Sequence, residues 1–439
     1  MTATNIAPWL AQSRWPTAPI RLVARLGSGH TPSRSVPEYW EDCTVPWITL
    51  ADVWQLRSGN VSVISETKEK VSLLGLARSA AVKHPAGTVI LSRTASVGFS
   101  AIMGTDMATS QDFATWTCGP RLDPRFLLHA LRGMSPDLKR VATGSTHKTI
   151  YMPDIEQLRV PLPPLDEQRR IADFLDAETA QIDQLQRLRT RHRLLLAERT
   201  RQHIQELAVG RGLPASPSGN PWIREIPDGW AVLPLKRRWH IVDCKHRTPE
   251  YVDEGYPVVS PGDISPGRLD LAVAHRFVGQ QDFEDLADDV RRPRRGDIVY
   301  SRNASVGIAA YVDTDAPFTM GQDVCRITSS DQDQLFLTYV LNSVALAELE
   351  SLQVGSTFTR VNIGTLLELS VPCPPPDQQR DIARRMDGVS AMGSALDQKI
   401  EQQLALFGER RQALITAAVT GQFDVSTASG RNVTDGVTA

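Results

Sequence analysis

Residues 160–172 read Val-Pro-Leu-Pro-Pro-Leu-Asp-Glu-Gln-Arg-Arg-Ile-Ala, and residues 371–383 repeat the pattern as Val-Pro-Cys-Pro-Pro-Pro-Asp-Gln-Gln-Arg-Asp-Ile-Ala, 211 positions later. Proline is tolerated ahead of a helix or in its first turn, where its missing N–H would have no partner within the helix. The acidic residues that follow suit the positive end of the helix dipole. Each block therefore predicts the beginning of a helix.

Both predicted helices are long. The first runs without glycine or proline to about Val209, and the second runs from about Asp377 to Val419. Roughly forty residues give a rod of about 60 Å, and such length indicates a coiled coil. Two helices of matched length most simply pack on each other; two separate core helices are the alternative. The apolar positions used for this prediction are Ile171, Leu175, Ile182, Leu185, Leu188, Leu195, Ile204 and Leu207, then Ile382, Met386, Val389, Leu396, Ile400, Phe407 and Leu414.

Three more segments repeat in the same order, 209 or 211 positions apart. They are Gly87–Gly98 with Gly296–Gly307, Gln111-Asp112 with Gln322-Asp323, and Gly144-Ser-Thr with Gly355-Ser-Thr. Chance does not explain four ordered matches at a nearly constant offset. The period is too long for a solenoid unit, so each repeat is a domain with an appended helix.

Each repeat begins with a domain of mixed character. Short β-like runs at residues 88–91 and 298–300 are broken by glycine, proline, serine and asparagine, and helical stretches are predicted near residues 124–132 and 333–350. The predicted organisation is a first domain at 1–159, a long helix at 160–213, a linker at 214–229, a second domain at 230–370, a second long helix at 371–421 and a disordered tail at 422–439.

Composition excludes several classes of protein. No run approaches the roughly 18 to 20 apolar residues that span a bilayer, and the N-terminus lacks the pattern of a secretory signal. The five cysteines are scattered without a CxxC pair, so a reduced, cytoplasmic setting is expected. The net charge of -2 gives no support for nucleic-acid binding, so any DNA contact requires local basic clusters.

The sequence carries no recognisable catalytic motif. It contains no GxxxxGK[ST] phosphate loop and no [DN]-Pro-Pro-[YF] tetrapeptide, and its nine histidines lack metal-ligand spacing. Nuclease-like Asp/Glu-x-Lys triplets are scattered and do not recur between the repeats. We therefore expect no catalytic residue, no metal site and no cofactor in this chain.

Two repeated loops are candidates for DNA contact. Ser-Arg-x-Ala-Ser-Val-Gly follows a short apolar run at residues 92–98 and 301–307. Arginine can bond guanine bidentately while serine and main-chain N–H groups hold phosphate; the alternative is a structural turn with Arg93 and Arg302 in salt bridges. The loops Gly144-Ser-Thr-His-Lys148 and Gly355-Ser-Thr-Phe-Thr-Arg360 again pair small residues with a cation, and we favour DNA contact over a plain loop.

The sequence resembles the specificity subunits of type I restriction–modification systems over nearly its whole length. The resemblance lies in the two Pro-Pro blocks, in Leu414-Ile-Thr-Ala-Ala-Val-Thr-Gly421, in Gly29-His-Thr-Pro-Ser-Arg34 and in Ile226-Pro-Asp-Gly-Trp230. It implies an α+β fold, with two pseudo-symmetric α/β target recognition domains separated by two long helices that form an antiparallel coiled coil. Each domain would recognise one half of a bipartite, asymmetric target in double-stranded DNA.

The resemblance also implies partners. The long helices would dock two copies of the modification subunit, which carries S-adenosylmethionine and methylates adenine at N6, and a restriction subunit would act as motor and nuclease with ATP and Mg²⁺. This chain itself would be non-catalytic. Carried over residue by residue, the implied DNA-binding positions are Thr31, Arg34, Arg93, Ser96, Gln111, Ser145, Thr146 and Lys148 in the first domain, and Lys245, Arg247, Arg302, Asn303, Ser305, Gln322, Ser356, Thr357 and Arg360 in the second.

Two other functions stay open. The near-neutral charge suits a coiled-coil scaffold that binds proteins rather than DNA, and a third possibility is an enzyme with a divergent active site. A salt-dependent interaction with duplex DNA would separate the first from a specificity subunit.

Overall fold

The computed structural model describes residues 8–57, 59, 61–143, 148–303, 306–353 and 360–426. The chain divides into two compact units, which are described separately here as unit 1 and unit 2. Unit 1 consists of Met1–Thr190 and Gln402–Ala439, and unit 2 consists of Arg191–Glu401. Each long helix therefore contributes one segment to each unit.

Unit 1 is built from short strands and helices. Its described strands are β1 (Thr17–Pro19), β2 (Ala24–Ser28), β3 (Val45–Ile48), β4 (Val63–Ile64), β5 (Glu69–Val71), β6 (Val89–Ser92), β7 (Ser100–Met103), β8 (Ala108–Thr109), β9 (Phe113–Cys118) and β10 (Arg159–Pro161). Its described helices are α1 (Leu73–Ala77), α2 (Pro124–Gly133), α3 (Ser135–Val141), α4 (Met152–Glu156) and the first part of α5 (Leu165–Ala208).

The strands of unit 1 form a five-stranded sheet in the order β2-β9-β6-β7-β4 and a three-stranded sheet in the order β5-β3-β8. β6 and β7 pair antiparallel, with Ile90 opposite Ala101, and β4 joins β7 in parallel. Strand β6 is apolar and entirely buried, and one of its faces shares a core with α2 and with the end of the second long helix. A continuous apolar run is what a strand covered on both faces requires.

Unit 2 repeats this plan. Its described strands are β11 (Ala215–Pro217), β12 (Glu225–Pro227), β13 (Ala231–Pro234), β14 (His240–Asp243), β15 (Tyr251–Val252), β16 (Tyr256–Val259), β17 (Gly267–Arg268), β18 (Phe277–Val278), β19 (Ile298–Ser301), β20 (Ala309–Tyr311), β21 (Thr319–Met320), β22 (Val324–Thr328) and β23 (Ser370–Cys373). Its described helices are α6 (Gln280–Leu286), α7 (Gln334–Leu341), α8 (Val344–Gln353), α9 (Ile363–Glu368) and part of α10 (Pro376–Thr420).

The five-stranded sheets of the two units share one topology, whereas the smaller sheet of unit 2 has one strand more than that of unit 1. Unit 2 has a five-stranded sheet in the order β14-β22-β19-β20-β17 and a four-stranded sheet in the order β15-β18-β16-β21. Val299 lies opposite Ala310 across β19 and β20, as Ile90 lies opposite Ala101 in unit 1. The predicted α+β class and the internal duplication are thus confirmed in the topology and in the strand register.

The Pro-Pro blocks owe their pattern to a buried glutamine. Gln168 is fully buried, and its amide accepts a hydrogen bond from the Asp123 main-chain N–H at 2.9 Å and donates to the carbonyls of Arg121 and Pro163. Gln379 is equally buried and accepts from the Asp333 N–H at 2.9 Å. Since Asp123 and Asp333 are the N-caps of α2 and α7, one glutamine side chain joins the start of each long helix to a helix of its domain.

The helix α5 ends at Ala208, two residues before Gly210, and α10 ends at Thr420, directly before Gly421. Both ends lie within one residue of the predicted ends at about Val209 and Val419. In unit 1, Phe174 packs on Phe423 and Asp183 binds Arg411. In unit 2, Arg193 binds Asp397 at 2.6 Å, and Thr200 lies beside Gly393. In each unit the residue number rises along α5 as it falls along α10, so the paired segments run antiparallel.

The apolar seam predicted for these helices is only partly correct. Ile182, Met386 and Leu414 are buried, but four positions assigned to the seam are 43–58% exposed: Leu185, Leu188, Leu195 and Leu396. In unit 2 the ion pair between Arg193 and Asp397 joins the two helices near Leu195 and Leu396. Spacing alone did not reveal this, because these leucines are as hydrophobic as the buried ones.

Three other segments differ from the prediction. The helix expected at 333–350 is two helices, because the Asn342 side chain bonds both main-chain groups of Ala309 and ends α7. The predicted linker contains the antiparallel pair β11 and β12. Of the predicted tail, Phe423 packs on Phe174 and Val425 is buried, while residues 427–439 lie outside the described residues.

Among the described helices, none has an apolar stretch long enough to cross a membrane.

Candidate nucleic-acid interface

The arginine that follows β6 or β19 bonds two other segments of its unit. In unit 1 the Arg93 N–H donates to the Asp112 carbonyl at 2.9 Å, and the Arg93 carbonyl accepts from Ile150 at 2.8 Å. In unit 2 the Arg302 N–H donates to the Asp323 carbonyl at 2.9 Å, and its carbonyl accepts from Val361 at 2.7 Å. The residue after the repeated strand thereby bonds the Gln-Asp turn on one side and the residue Ile150 or Val361 on the other.

The two arginine side chains are engaged differently. Arg93 is half-buried, and its Nε donates to the Gln111 carbonyl at 2.9 Å. Arg302 is only 3% exposed, and its Nη2 donates to Asp243 Oδ1 at 2.5 Å. The sequence offered DNA contact or a salt-bridged turn for these arginines; the structure places both guanidinium groups on protein acceptors, and their role toward DNA stays a prediction.

An exposed glutamine lies at the tip of each Gln-Asp turn and is bonded to a threonine. Thr31 Oγ1 lies 2.7 Å from Gln111 Oε1, and Gln322 Nε2 lies 2.9 Å from Thr248 Oγ1. Each threonine precedes a buried proline, Pro32 or Pro249, which anchors its loop. Two of the predicted residues in unit 1, Thr31 and Gln111, are therefore in direct contact.

Thr248 was not among the predicted site residues. A signal for it is present in the sequence, since the dipeptide Thr-Pro occurs at 31–32 and again at 248–249, in each case ahead of the first strand of the smaller sheet. The offset of 217 residues differs from the 209 or 211 residues of the other repeats, so a comparison at a constant offset does not pair Thr31 with Thr248.

Carboxylates surround the predicted cations of unit 2. Asp323, at the positive φ of 65°, accepts from Arg360 Nε at 2.6 Å and from Asn303 Nδ2 at 3.0 Å. Asn303 and Arg360 also form a β-bridge, so the structure brings these two predicted residues together with the main chain of Arg302. Asp323 therefore binds Arg360 and Asn303 through its side chain and Arg302 through its main-chain carbonyl.

Lys245 and Arg247 form a separate cluster with the acidic helix α6. Lys245 Nζ lies 2.5 Å from Asp285 Oδ1, and Arg247 bonds both Asp285 and Asp282 at 2.5 Å. The hydrogen bonds that Lys245 and Arg247 donate lower the pKa of Asp285, and the bonds that Arg247 donates to Asp285 and Asp282 raise the pKa of Arg247. These two cations are thus partly neutralised at the surface of the protein.

The remaining predicted residues of unit 1 that the structure describes are Arg34, Ser96 and Lys148. Lys148 is exposed, and its carbonyl accepts from Ala95, the neighbour of Ser96, at 2.8 Å. Arg34 pairs with Glu69 at 2.5 Å and stacks on Trp40, 3.8 Å from the ring centroid. Five predicted residues lie outside the described part of the chain: Ser145, Thr146, Ser305, Ser356 and Thr357.

One group of side chains in the described residues has the spacing of a metal site. Ligand atoms of Asp243, Cys244 and His246 all lie within 4.8 Å of one another. However, Asp243 already binds Arg302 and His246 through its two oxygens, and burial raises the pKa of the Cys244 thiol, which disfavours the thiolate that a metal requires. The arrangement fits a salt-bridge hub better than a metal centre.

A family model described as "Type I restriction modification DNA specificity domain" matches residues 13–191 and 240–406. The chain is 23% identical over 323 residues to the type I restriction enzyme EcoBI specificity subunit of Escherichia coli, covering 69% of this chain and 66% of that protein. The matched region spans less than two thirds of the length of that relative. The match therefore does not by itself assign the activity and partners of that relative to this chain.

The fold has solved counterparts. One is a chain from a study of complex assembly and conformational transition of the type I R-M system, with a TM-score of 0.71, 18% identity and coverage of 93% of this chain and 98% of the other. Another is the HsdS subunit from Thermoanaerobacter tengcongensis, with a TM-score of 0.52, 18% identity and coverage of 93% and 97%. These structures show the fold, and the family model, which matches residues 13–191 and 240–406, shows that the chain belongs to the type I restriction modification DNA specificity domain family.

Proposed function

We propose that this chain is the DNA-sequence specificity subunit of a type I restriction–modification complex. Each unit would recognise one half of a bipartite target. The observation that carries the proposal is the repetition of one loop arrangement on one sheet topology, with Arg93 and Gln111 in unit 1 corresponding to Arg302 and Gln322 in unit 2. The side chains around these loops differ between the units, so the two half-sites would differ and the target would be asymmetric.

The antiparallel helices would set the spacing between half-sites and dock two copies of the modification subunit. Each unit leaves apolar side chains exposed on its helical segments, which supports a partner surface in each. In unit 1 these are Leu185, Leu188 and Leu406, and in unit 2 they are Leu194, Leu195, Met392 and Leu396. One such surface per unit suits one modification subunit per unit.

The chain would contribute recognition and no catalytic step. In the assembled complex, the modification subunits would bind S-adenosylmethionine and methylate adenine at N6, and a restriction subunit would translocate and cleave DNA with ATP and Mg²⁺. The sequence supports this division of labour because it lacks the phosphate loop and the methyltransferase tetrapeptide. Family membership argues against the scaffold function without DNA recognition.

The deciding experiment is co-expression of the chain with the modification subunit of its own system, followed by mapping of methylated adenines. A bipartite motif with an unrecognised spacer is expected. Exchanging residues 1–159 for those of a relative should change one half-site only. Methylation without sequence preference, or an exchange that changes both half-sites, would contradict the proposal. Duplex DNA binding that weakens steeply with salt is expected for the complex, and a complex that binds no DNA would support the scaffold.

A further inference from the structure

We infer that the two threonine–glutamine pairs, Thr31 with Gln111 and Thr248 with Gln322, each recognise one A·T base pair through the adenine edge in the major groove, and that Arg93 and Arg302 are positioning residues behind them. The inference rests on the proposed function and adds which side chains contact bases, and which base each would select.

The glutamines are the exposed members of otherwise fixed turns. In unit 1, Ser110 is 2% exposed, while Gln111 next to it is exposed. The carbonyl of Gln111 accepts from Arg93 Nε at 2.9 Å, and that of Asp112 accepts from the Arg93 N–H at 2.9 Å. The arginine thus holds the main chain of the turn through two successive carbonyls, and the glutamine side chain extends from a rigid base.

Unit 2 reaches the same result with different contacts. The Gly321 N–H donates to the Val259 carbonyl at 2.8 Å, and the Asp323 carbonyl accepts from the Arg302 N–H at 2.9 Å. The Asp323 side chain is held by Arg360 and Asn303. Gln322 lies between these fixed neighbours and is exposed. A side chain whose supporting residues are already ordered loses less conformational entropy on binding.

The arginines are poorly placed to contact bases themselves. Bidentate bonding to guanine requires an exposed guanidinium fork. Arg302 is 3% exposed and bound to Asp243, and Arg93 donates to the carbonyls of Gln111 and Ile150. Exposure of either fork would break contacts that shape the turn.

The threonine leaves the amide able to recognise adenine. A glutamine amide has two N–H donors and an oxygen with two lone pairs. One hydrogen bond to the threonine hydroxyl, in either direction, leaves at least one donor and one acceptor. These are the groups that adenine N7 and N6 require for a bidentate contact. The hydroxyl bond, at 2.7 Å to Gln111 Oε1 in unit 1 and at 2.9 Å from Gln322 Nε2 in unit 2, restrains the position of the amide beside its threonine.

The experiment uses the full chain in complex with its modification subunit and measures methylation rates on duplexes in which each base pair of the mapped motif is replaced in turn. Gln322→Met should reduce discrimination about tenfold or more at one A·T position of one half-site, and Gln111→Met should do the same in the other half. Gln322→Glu should shift the preference at that position toward cytosine, whose N4 group donates to a carboxylate.

Matched variants test whether the threonine acts through its hydroxyl bond to the glutamine or only through its volume. Thr248→Val should weaken discrimination at the same position as Gln322→Met, and Thr248→Ser, which keeps the hydroxyl, should restore it. Gln281→Met, at an exposed glutamine on α6, should leave the motif unchanged. All variants should keep the wild-type melting temperature, since the substituted side chains are at the surface.

Two results would overturn the inference while the proposed function stands: an unchanged preference at every position in Gln322→Met and Gln111→Met, or a relaxed position whose preferred pair is G·C. A wild-type complex without a bipartite motif would instead overturn the proposed function together with this inference.

Discussion

The buried amide oxygen of Gln168 accepts a hydrogen bond from the main-chain N–H of Asp123 at 2.9 Å. This contact joins the start of α5 to the N-cap of α2, and Gln379 makes the equivalent contact with Asp333 in unit 2. The glutamine of each Pro-Pro block is therefore a structural residue, and it explains why the block occurs where a domain meets its long helix.

Gln168→Leu should destabilise unit 1 by about 2 kcal/mol or more, because it leaves the Asp123 N–H and two carbonyls without their partner in a buried site. The free energy of unfolding from urea denaturation, followed with a probe in unit 1, measures the effect. Gln184→Leu, at an exposed position of the same helix, is the control and should change stability little. Equal effects in the two variants would contradict a special role for the buried amide.

Unit 1 should lose stability when the pH falls below about 6.5, the ordinary pKa of histidine. His129 is fully buried, and burial lowers its pKa despite the opposing hydrogen bond to Asp176 at 2.8 Å. The unfolded chain therefore binds a proton more readily than the folded one, so stability is complete above this pH and is lost as the pH falls.

Unit 2 supplies the control for this pH dependence. There Tyr339 donates its hydroxyl to Asp387 at 2.8 Å and takes the place that His129 has in unit 1. His129→Tyr should reduce the loss of stability between about pH 6.5 and 5, as measured by melting temperature across that range, and the remaining loss is expected from His84, which is also buried with a lowered pKa. An identical pH profile in the variant would show that another group is responsible.

Asp285→Asn should strengthen DNA binding by the complex several-fold at low salt. The substitution removes the carboxylate shared by Lys245 and Arg247, so Lys245 becomes available to phosphates while Arg247 keeps only its bond to Asp282. Each added phosphate contact should steepen the dependence of log K on log salt by about 0.9. Binding titrations at several salt concentrations measure both quantities. Asp289→Asn removes the same charge at an exposed position nearby and should have a smaller effect; equal gains would indicate a general charge effect.

Arg302→Ala should reduce DNA affinity about tenfold and lower stability by about 2 kcal/mol, because it leaves Asp243 without its arginine at the end of β14. The loop that carries Lys245, Arg247 and Thr248 begins there, so discrimination in the half-site of unit 2 should weaken too. Binding titrations, thermal unfolding and motif mapping check the three effects. Arg385→Ala, at an exposed residue of α10, is the reference. Unchanged affinity and unchanged bipartite methylation would exclude a role for this loop.

Much of the fold could be predicted from local patterns. The repeat, the long helices and the strands at 89–92 and 298–301 depend on residues close in sequence, and proline, glycine and apolar periodicity indicate them directly. The break between α7 and α8 could not be predicted in this way, because it depends on Asn342 bonding a strand more than thirty residues away.

The site was less predictable than the fold for the same reason. Residue type left both DNA contact and a salt-bridged turn open for Arg302, because its burial against Asp243 depends on tertiary packing. The resemblance implied that Lys245 and Arg247 contact DNA, but local sequence does not reveal that α6 places Asp282 and Asp285 beside them. The exposed leucines of α5 were assigned to a seam because hydrophobicity does not reveal which face has a partner.

The division of the chain between the units has a consequence for the order of synthesis. Unit 2 is a continuous stretch, Arg191–Glu401, whereas unit 1 combines residues up to Thr190 with residues from Gln402 onward. Leu414, Ile415 and Val419 belong to the core of unit 1, and the Arg14 N–H donates to the Thr420 carbonyl at 2.9 Å. During synthesis, the residues up to Thr190 therefore cannot complete the core of unit 1 until the residues from Gln402 onward, which follow unit 2, have been made. A chain whose translation stops at residue 401 would lack part of the core of unit 1, although the segment that forms unit 2 would be complete.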